Sequence, residues 1–207
     1  MTPLIPFVLH AGDLLFQLAG ASAMSDAIVG ATARDAELQF DHVAIVCMDS
    51  IGNPLVIEAS PQEGVRTVCL DSFLEEAVKI DGQPGVVVMR LVSYFPMETI
   101  VENAMSHISE PYDWYYLPDN GMTYCSELIY DSYIDAEGRH IFEAHPMNFR
   151  NPDGSLPSFW EELYEGLGQP VPEGIPGTNP QDLSKSPKLI EVYRYFLPVS
   201  ARGNPED

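Results

Sequence analysis

Positive charge is scarce in this chain. Ten lysines and arginines stand against 31 aspartates and glutamates, a formal net charge of -21 at pH 7. The few basic residues form no cluster, so nothing is there to neutralise a row of phosphates, which argues against nucleic acid or an anionic membrane surface as a partner. The acidic excess reads first as a well-solvated surface and second as a preference for cationic substrates. Cysteine is also sparse. Cys47, Cys69 and Cys125 are too few for a disulfide framework. They contain no CxxC pair, so a zinc site is not expected, and no motif calls for another metal or for a cofactor. Long apolar runs are missing too. The run that starts at Leu4 is interrupted by His10 and Asp13, too soon for a membrane span. No basic stretch precedes it, as an intact signal peptide would require.

What remains is the composition of an ordinary globular domain. The 207 residues are 45% hydrophobic, enough for one sizeable core over 1–207, and no repeat is visible. In chain order, 12–18 reads as a strand, and Ser25-Asp26 as an N-cap opening a short helix over 27–33. The continuous apolar run from Val43 to Cys47 marks 40–48 as a central strand. Turn chemistry at 49–54 then joins it to a second strand over 55–59, making a hairpin. A third strand is expected over 64–68, a helix capped by Asp71-Ser72, and a fourth strand over 85–92. An amphipathic helix with proline at its start follows over 96–108. An aromatic loop over 110–116 leads to a turn at 118–121 and a helix starting near Cys125. Residues 144–186, rich in Pro, Gly and Asn, read as an irregular covering segment. A last strand over 189–196 and a frayed tail over 201–207 complete an α+β arrangement, a largely antiparallel sheet with helices packed on it.

The chemistry centres on Cys125. A helix start offers unpaired N–H groups and the positive end of the dipole, which favour a thiolate. A cysteine hydrolase also needs an imidazole and a group that orients it. His42 on the central strand and Glu58 on the neighbouring one supply those types. A turn centred on Ser50 would set them directly opposite, whereas one centred on Gly52-Asn53 would separate them. Cys125 and His42 also have plain structural readings, a small hydrophobe and a satisfied core histidine, whereas Glu58 in an apolar strand is harder to dismiss, since an unpaired buried carboxylate is costly. Cys47 and Cys69 fit the first of these better, since both lie in strand-like runs. A cysteine-then-histidine order would instead nominate His140 or His145, while His107 reads as a cation at a helix end.

Several runs carry a resemblance. Gly12-Asp13-Leu14-Leu15-Phe16, Asp41-His42-Val43-Ala44-Ile45-Val46, Val56-Ile57-Glu58-Ala59 and Tyr124-Cys125-Ser126-Glu127-Leu128 occur in the order found in the YiiX-like permuted papain-like amidases, a branch of the NlpC-type cysteine peptidases. The aromatic lead-in from Pro111 to Tyr116 and the late run from Gly177 to Leu183 also resemble that group. The resemblance implies a circularly permuted papain-like fold, with the histidine strand ahead of the cysteine helix. It implies a triad of Cys125, His42 and Glu58, a register close to the Ser50-centred one, and hydrolysis of an amide bond, in a peptide or an amino-acid amide, through an acyl-enzyme on Cys125. Tyr124, Tyr112, Trp114 and Tyr115 are candidate walls of the substrate cleft, and Asp13 is expected to serve packing and turn geometry. Two rivals stay open: an ester or lipid acyl hydrolase or acyltransferase with the same triad, and a non-catalytic binding module. The resemblance leans toward the cell envelope, with an upstream signal removed. A free catalytic thiol in an acidic soluble chain suits the cytoplasm equally. Oligomeric state is open.

Overall fold

The computed structural model describes residues 7–33 and 36–196. The expected tail over 201–207 and the start of the apolar run at Leu4 lie outside the described residues. The chain begins with β1 (Leu14–Leu18), α1 (Ala23–Thr32), β2 (Phe40–Met48), β3 (Pro54–Ser60), β4 (Gly64–Cys69) and α2 (Leu70–Glu76). A two-residue pair, β5 (Lys79–Ile80) and β6 (Gln83–Pro84), leads into β7 (Val86–Leu91), α3 (Met97–Ser106) and α4 (Cys125–Ser132). Then come β8 (His145–Pro146), α5 (Ser158–Leu167), β9 (Pro176–Gly177), α6 (Pro180–Ser184) and β10 (Leu189–Arg194).

Six strands form one sheet in the order β10-β7-β1-β2-β3-β4, and every neighbouring pair is antiparallel. Side chains alternate across it. Leu14, Phe16, Val43, Ile45, Ile57 and Val87 pack on one face with Ile100 and Ala104 of α3 and Leu128 and Ile129 of α4. Leu15, Ala44, Val46, Val56 and Val88 pack on the other with Phe73 of α2. Burial on both faces explains why β2 reads as an unbroken apolar run instead of an alternating one. Among the described residues no helix is long and apolar enough to cross a membrane.

Four local expectations are corrected. The first helix starts at Ala23, capped by the Ser22 side chain, which accepts from the Ser25 N–H at 3.0 Å. Ser25 is spent on Asp41 instead, its Oγ lying 2.5 Å from the carboxylate. The N-cap of α2 is Cys69, not Asp71-Ser72. Cys69 is therefore an exposed residue whose Sγ lies 3.0 Å from Ser72 Oγ, not a core hydrophobe. The segment over 144–186 is not merely irregular: it holds the ten-residue α5 and the short α6. Finally, β2 and β3 pair as Ile45–Ile57, Val46–Val56, Cys47–Leu55 and Met48–Pro54, a hairpin centred on Ile51. That centre lies between the two considered from sequence.

Candidate active site

The observed register leaves His42 and Glu58 diagonal to each other on one side of the sheet. The β2–β3 ladder ends at Ile45–Ile57, so both residues lie just beyond it, where the strands are no longer paired. A diagonal spacing of about 7–8 Å between backbones is within reach of a histidine and a glutamate. The side chains close it: His42 Nε2 lies 2.8 Å from Glu58 Oε2. The ring is 15% exposed and the carboxylate 4%. With Nε2 taken, Nδ1 is the ring nitrogen left to face the thiol of Cys125, whose nearness is one of the influences that raise the imidazole pKa. Burial works against charge on the His42 ring. The hydrogen bonds and negative charges of Cys125 and Glu58 outweigh it and raise the imidazole pKa to about 10.

Glu58 has a second partner. Arg66 lies directly opposite it in the β3–β4 ladder. Arg66 Nε and Nη2 reach Glu58 Oε1 at 2.9 and 2.7 Å, and the same guanidinium touches Glu63 and Glu76. Burial pushes the Glu58 carboxyl up, but the bonds from His42 and Arg66 overcome this and hold it below its ordinary value. One oxygen therefore serves His42 and the other Arg66, which fixes the plane of the carboxylate. Arg66 was not singled out in the sequence. Its role depends on the β3–β4 register, and no local motif encodes that.

Cys125 opens α4, with Tyr124 as an extended N-cap residue. The Tyr124 N–H points to Glu127 Oε2 at 3.4 Å. Burial, together with the charges of Asp131 and Asp113, raises the Glu127 carboxyl to about 9. It is therefore protonated at neutral pH and adds no negative charge to the turn that holds the thiol. Glu127→Gln, an isostere of the protonated acid, is accordingly expected to leave stability near pH 5 almost unchanged. A carboxyl with a raised native pKa stabilises fully below 4.5, and that contribution is lost as pH rises toward about 9. The variant should thus gain melting temperature over the wild type progressively between those values. A constant difference across the range would mean that the carboxyl titrates normally.

Beside Cys125 lies a cavity of ≈ 60 Å³, walled by Tyr112, Tyr116, Tyr124, Phe149 and Trp160 among others. Of the four wall residues nominated from sequence, Tyr112 and Tyr124 line it, and Trp114 and Tyr115 do not. The cause is a hooked turn. The Asp113 carboxylate accepts from the N–H groups of Tyr115 and Leu117 at 2.8 and 2.9 Å, and Tyr116 adopts φ 52°. This turns Tyr116 inward and leaves Trp114 packed on the Tyr112 ring, centroids 4.9 Å apart. Tyr116 and Trp160 were missed as wall residues, although the Phe159-Trp160 pair was a visible aromatic signal. A larger cavity of ≈ 680 Å³ lies alongside and shares Met147, Asn148, Thr178 and Asn179 with the small one. It is lined by neither Cys125 nor His42, so it extends the cleft away from the thiol.

The remaining candidates fall elsewhere. His140 is exposed, with Nδ1 2.9 Å from the Tyr130 carbonyl and its ring stacked on Tyr130, and His145 lines the larger cavity. His107 ends α3 and contacts Glu110 at 2.8 Å. Asp13 is buried just before the interior strand β1, accepts the His10 N–H at 2.8 Å and pairs with Arg90 of the neighbouring β7 at 2.6 Å.

Similarity to known proteins follows the same architecture. A solved structure, that of metalloprotein yiiX from Escherichia coli O157:H7, superposes with a TM-score of 0.72 over 89% of this chain and 96% of that one, at 24% identity, and so shares the fold. The uncharacterized protein YiiX of Escherichia coli strain K12 is 26% identical over 185 residues, 87% of this chain and 84% of that protein. The family model described as permuted papain-like amidase enzyme, YaeF/YiiX, C92 family, matches residues 8–193. With the model spanning nearly the whole chain, and with the mixed helix and antiparallel-sheet architecture it implies, the protein belongs to the YaeF/YiiX family of permuted papain-like amidases.

Proposed function

We propose that the protein is a cysteine hydrolase that cleaves an amide bond, in a peptide or an amino-acid amide, through an acyl-enzyme on Cys125. The observation that carries this reading is the 2.8 Å contact of His42 with Glu58 near Cys125, a cysteine that lines an aromatic cavity. In the acylation step Cys125 Sγ attacks the carbonyl carbon. The His42 imidazolium gives its proton to the leaving amine as the C–N bond breaks. In deacylation the neutral ring takes a proton from water, whose oxygen attacks the thioester and returns the thiol. The Cys125 N–H at the start of α4 is the natural first donor to the oxyanion. Glu58 holds the ring and stabilises its charged form, and Arg66 holds Glu58.

The neighbouring yiiX structure is described as a metalloprotein. The donor set here does not fit such an ion, because among the described residues no group of three or more His, Cys, Asp or Glu is placed to hold one.

The test is the rate of Cys125 alkylation by iodoacetamide as a function of pH, read at that residue by peptide mass spectrometry. A thiol of ordinary acidity, near ~8.5, is less than about 1% ionised at pH 6. Ion pairing with His42 predicts rapid labelling there, and at least a tenfold loss in His42→Ala. Labelling that follows an ordinary thiol in both proteins, or no labelling, would favour a binding module. Because the walls of the cavity are aromatic, an acyl group from a lipid or ester is the second reading, and subsite chemistry separates it from the first.

A further inference from the structure

Among the described residues, four buried side-chain nitrogen or oxygen atoms lack a hydrogen-bond partner: Asn120 Nδ2, Ser126 Oγ, Trp160 Nε1 and Thr178 Oγ1. Buried polar groups are normally paired, and each exception calls for a reason. Three of these four belong to residues that line the same ≈ 60 Å³ cavity as Cys125. The three come from separate parts of the chain. Ser126 is the second residue of α4, Trp160 lies in α5, and Thr178 follows β9. They are 1%, 3% and 8% exposed. Thr178 is held firmly, since its N–H donates to the Tyr124 hydroxyl at 3.2 Å.

The chemistry of the unpaired atoms limits what can complete them. An indole N–H only donates, and a hydroxyl donates or accepts. A partner common to all three would have to offer at least one acceptor oxygen to the indole, and the hydroxyls could take an N–H from it. An amide unit offers both, whereas a hydrocarbon chain offers neither. Charge is limited as well. No lysine or arginine lines the cavity, and the Asp41 carboxylate at its edge already accepts from the Gly20 N–H at 3.1 Å and from Ser25 Oγ. Size points the same way. At roughly 10–15 Å³ of such volume per water, the space next to the thiol itself holds only a few non-hydrogen atoms.

We propose that this cavity is the acyl-side specificity subsite, in which Ser126, Trp160 and Thr178 hydrogen-bond a small, neutral, amide-bearing group of the substrate, of the size of a small amino-acid residue. The proposal rests on the cysteine-hydrolase reading. The test compares two chloromethyl ketones with a common warhead, one N-acetyl-alanyl and one a straight ten-carbon alkyl. Labelling rates at Cys125 are measured by peptide mass spectrometry and divided by the rate with methyl methanethiosulfonate, a reagent too small to need the subsite. The wild type is expected to prefer the alanyl reagent at least tenfold. Thr178→Val, which keeps shape and removes the hydroxyl, and Trp160→Phe should each cut that preference threefold or more. Equal or faster labelling by the alkyl reagent overturns the proposal. So does a preference unchanged in both variants, which would leave the three groups merely hydrated. Wild-type Cys125 that is inert to methyl methanethiosulfonate at pH 6 removes the hydrolase reading itself, and the proposal with it.

Discussion

Cys125→Ala should reduce amide hydrolysis to the uncatalysed baseline, a loss on the order of 10⁴-fold or more, while the protein keeps its fold. In the proposed mechanism the acyl group is carried on this sulfur, so its removal takes away the covalent route and not merely a contact. The structural cost is small. Cys125 is 5% exposed at the first turn of α4, and trimming one buried sulfur costs about 1 kcal/mol by area. His42→Ala should lose a comparable amount of activity, and the double variant should be no worse than either single one. Residues that act as one unit are not additive, because once the thiolate is gone the imidazole has nothing to activate. The measurement is turnover of short neutral peptide amides, with circular dichroism and melting temperature checking the fold. Losses that multiply in the double variant would mean that Cys125 and His42 act independently. Residual activity in Cys125→Ala that survives in the double variant would point to another nucleophile.

Parts of this architecture were legible before the structure because they depend on local signals. The strand Phe40–Met48 follows from an apolar run that only double-sided burial explains, and the start of α4 at Cys125 follows from turn formers ahead of a helical period. The parts that were not legible depend on distant pairing. The hairpin is centred on Ile51 because Asp49 closes the turn on itself, its carboxylate accepting from the N–H groups of Ile51 and Asn53. That shifts Glu58 from opposite His42 to diagonal. The two still meet, because both side chains span the distance. Arg66 becomes visible only once β4 is laid beside β3. Helix α5 was hidden by the proline before it and the left-handed Gly168 after it, which are ordinary helix boundaries in a stretch whose overall composition reads as loop. Trp160 of α5 lines the small cavity, with Tyr164 packed behind it on Phe149, so the largest omission in the fold was also an omission in the candidate cleft.

Removal of the Glu58 carboxylate is the second large effect, and here stability and chemistry separate by pH. Glu58→Ala strips His42 of its partner in a nearly closed position, while Arg66 retains Glu63 and Glu76 at the surface. Breaking one side of a buried pair costs about 3–5 kcal/mol. The surviving partners of Arg66 place this variant at the lower end, a drop in melting temperature of roughly 6–12 °C for a chain of this size. The sign of the pH dependence follows from the two shifts. Glu58 is depressed, so its contribution is complete above 4.5 and is lost as pH falls through the native value. His42 is raised, so its contribution is complete below 6.5 and is lost as pH rises through about 10. Both operate fully only between pH 4.5 and 6.5, and the gap between wild type and Glu58→Ala should be widest there and narrow on either side. Glu58→Gln, which keeps an acceptor for the ring but not its charge, should show a smaller gap in the same window. Its effect on amide turnover, a loss of about 10–100-fold, should fall short of that of Cys125→Ala, since Glu58 works only through His42. Melting curves of the three proteins from pH 4 to 10 decide the matter. Curves that run parallel across that range would show that no carboxylate–imidazolium pair forms at this site, and the ring would then need another source for its charge.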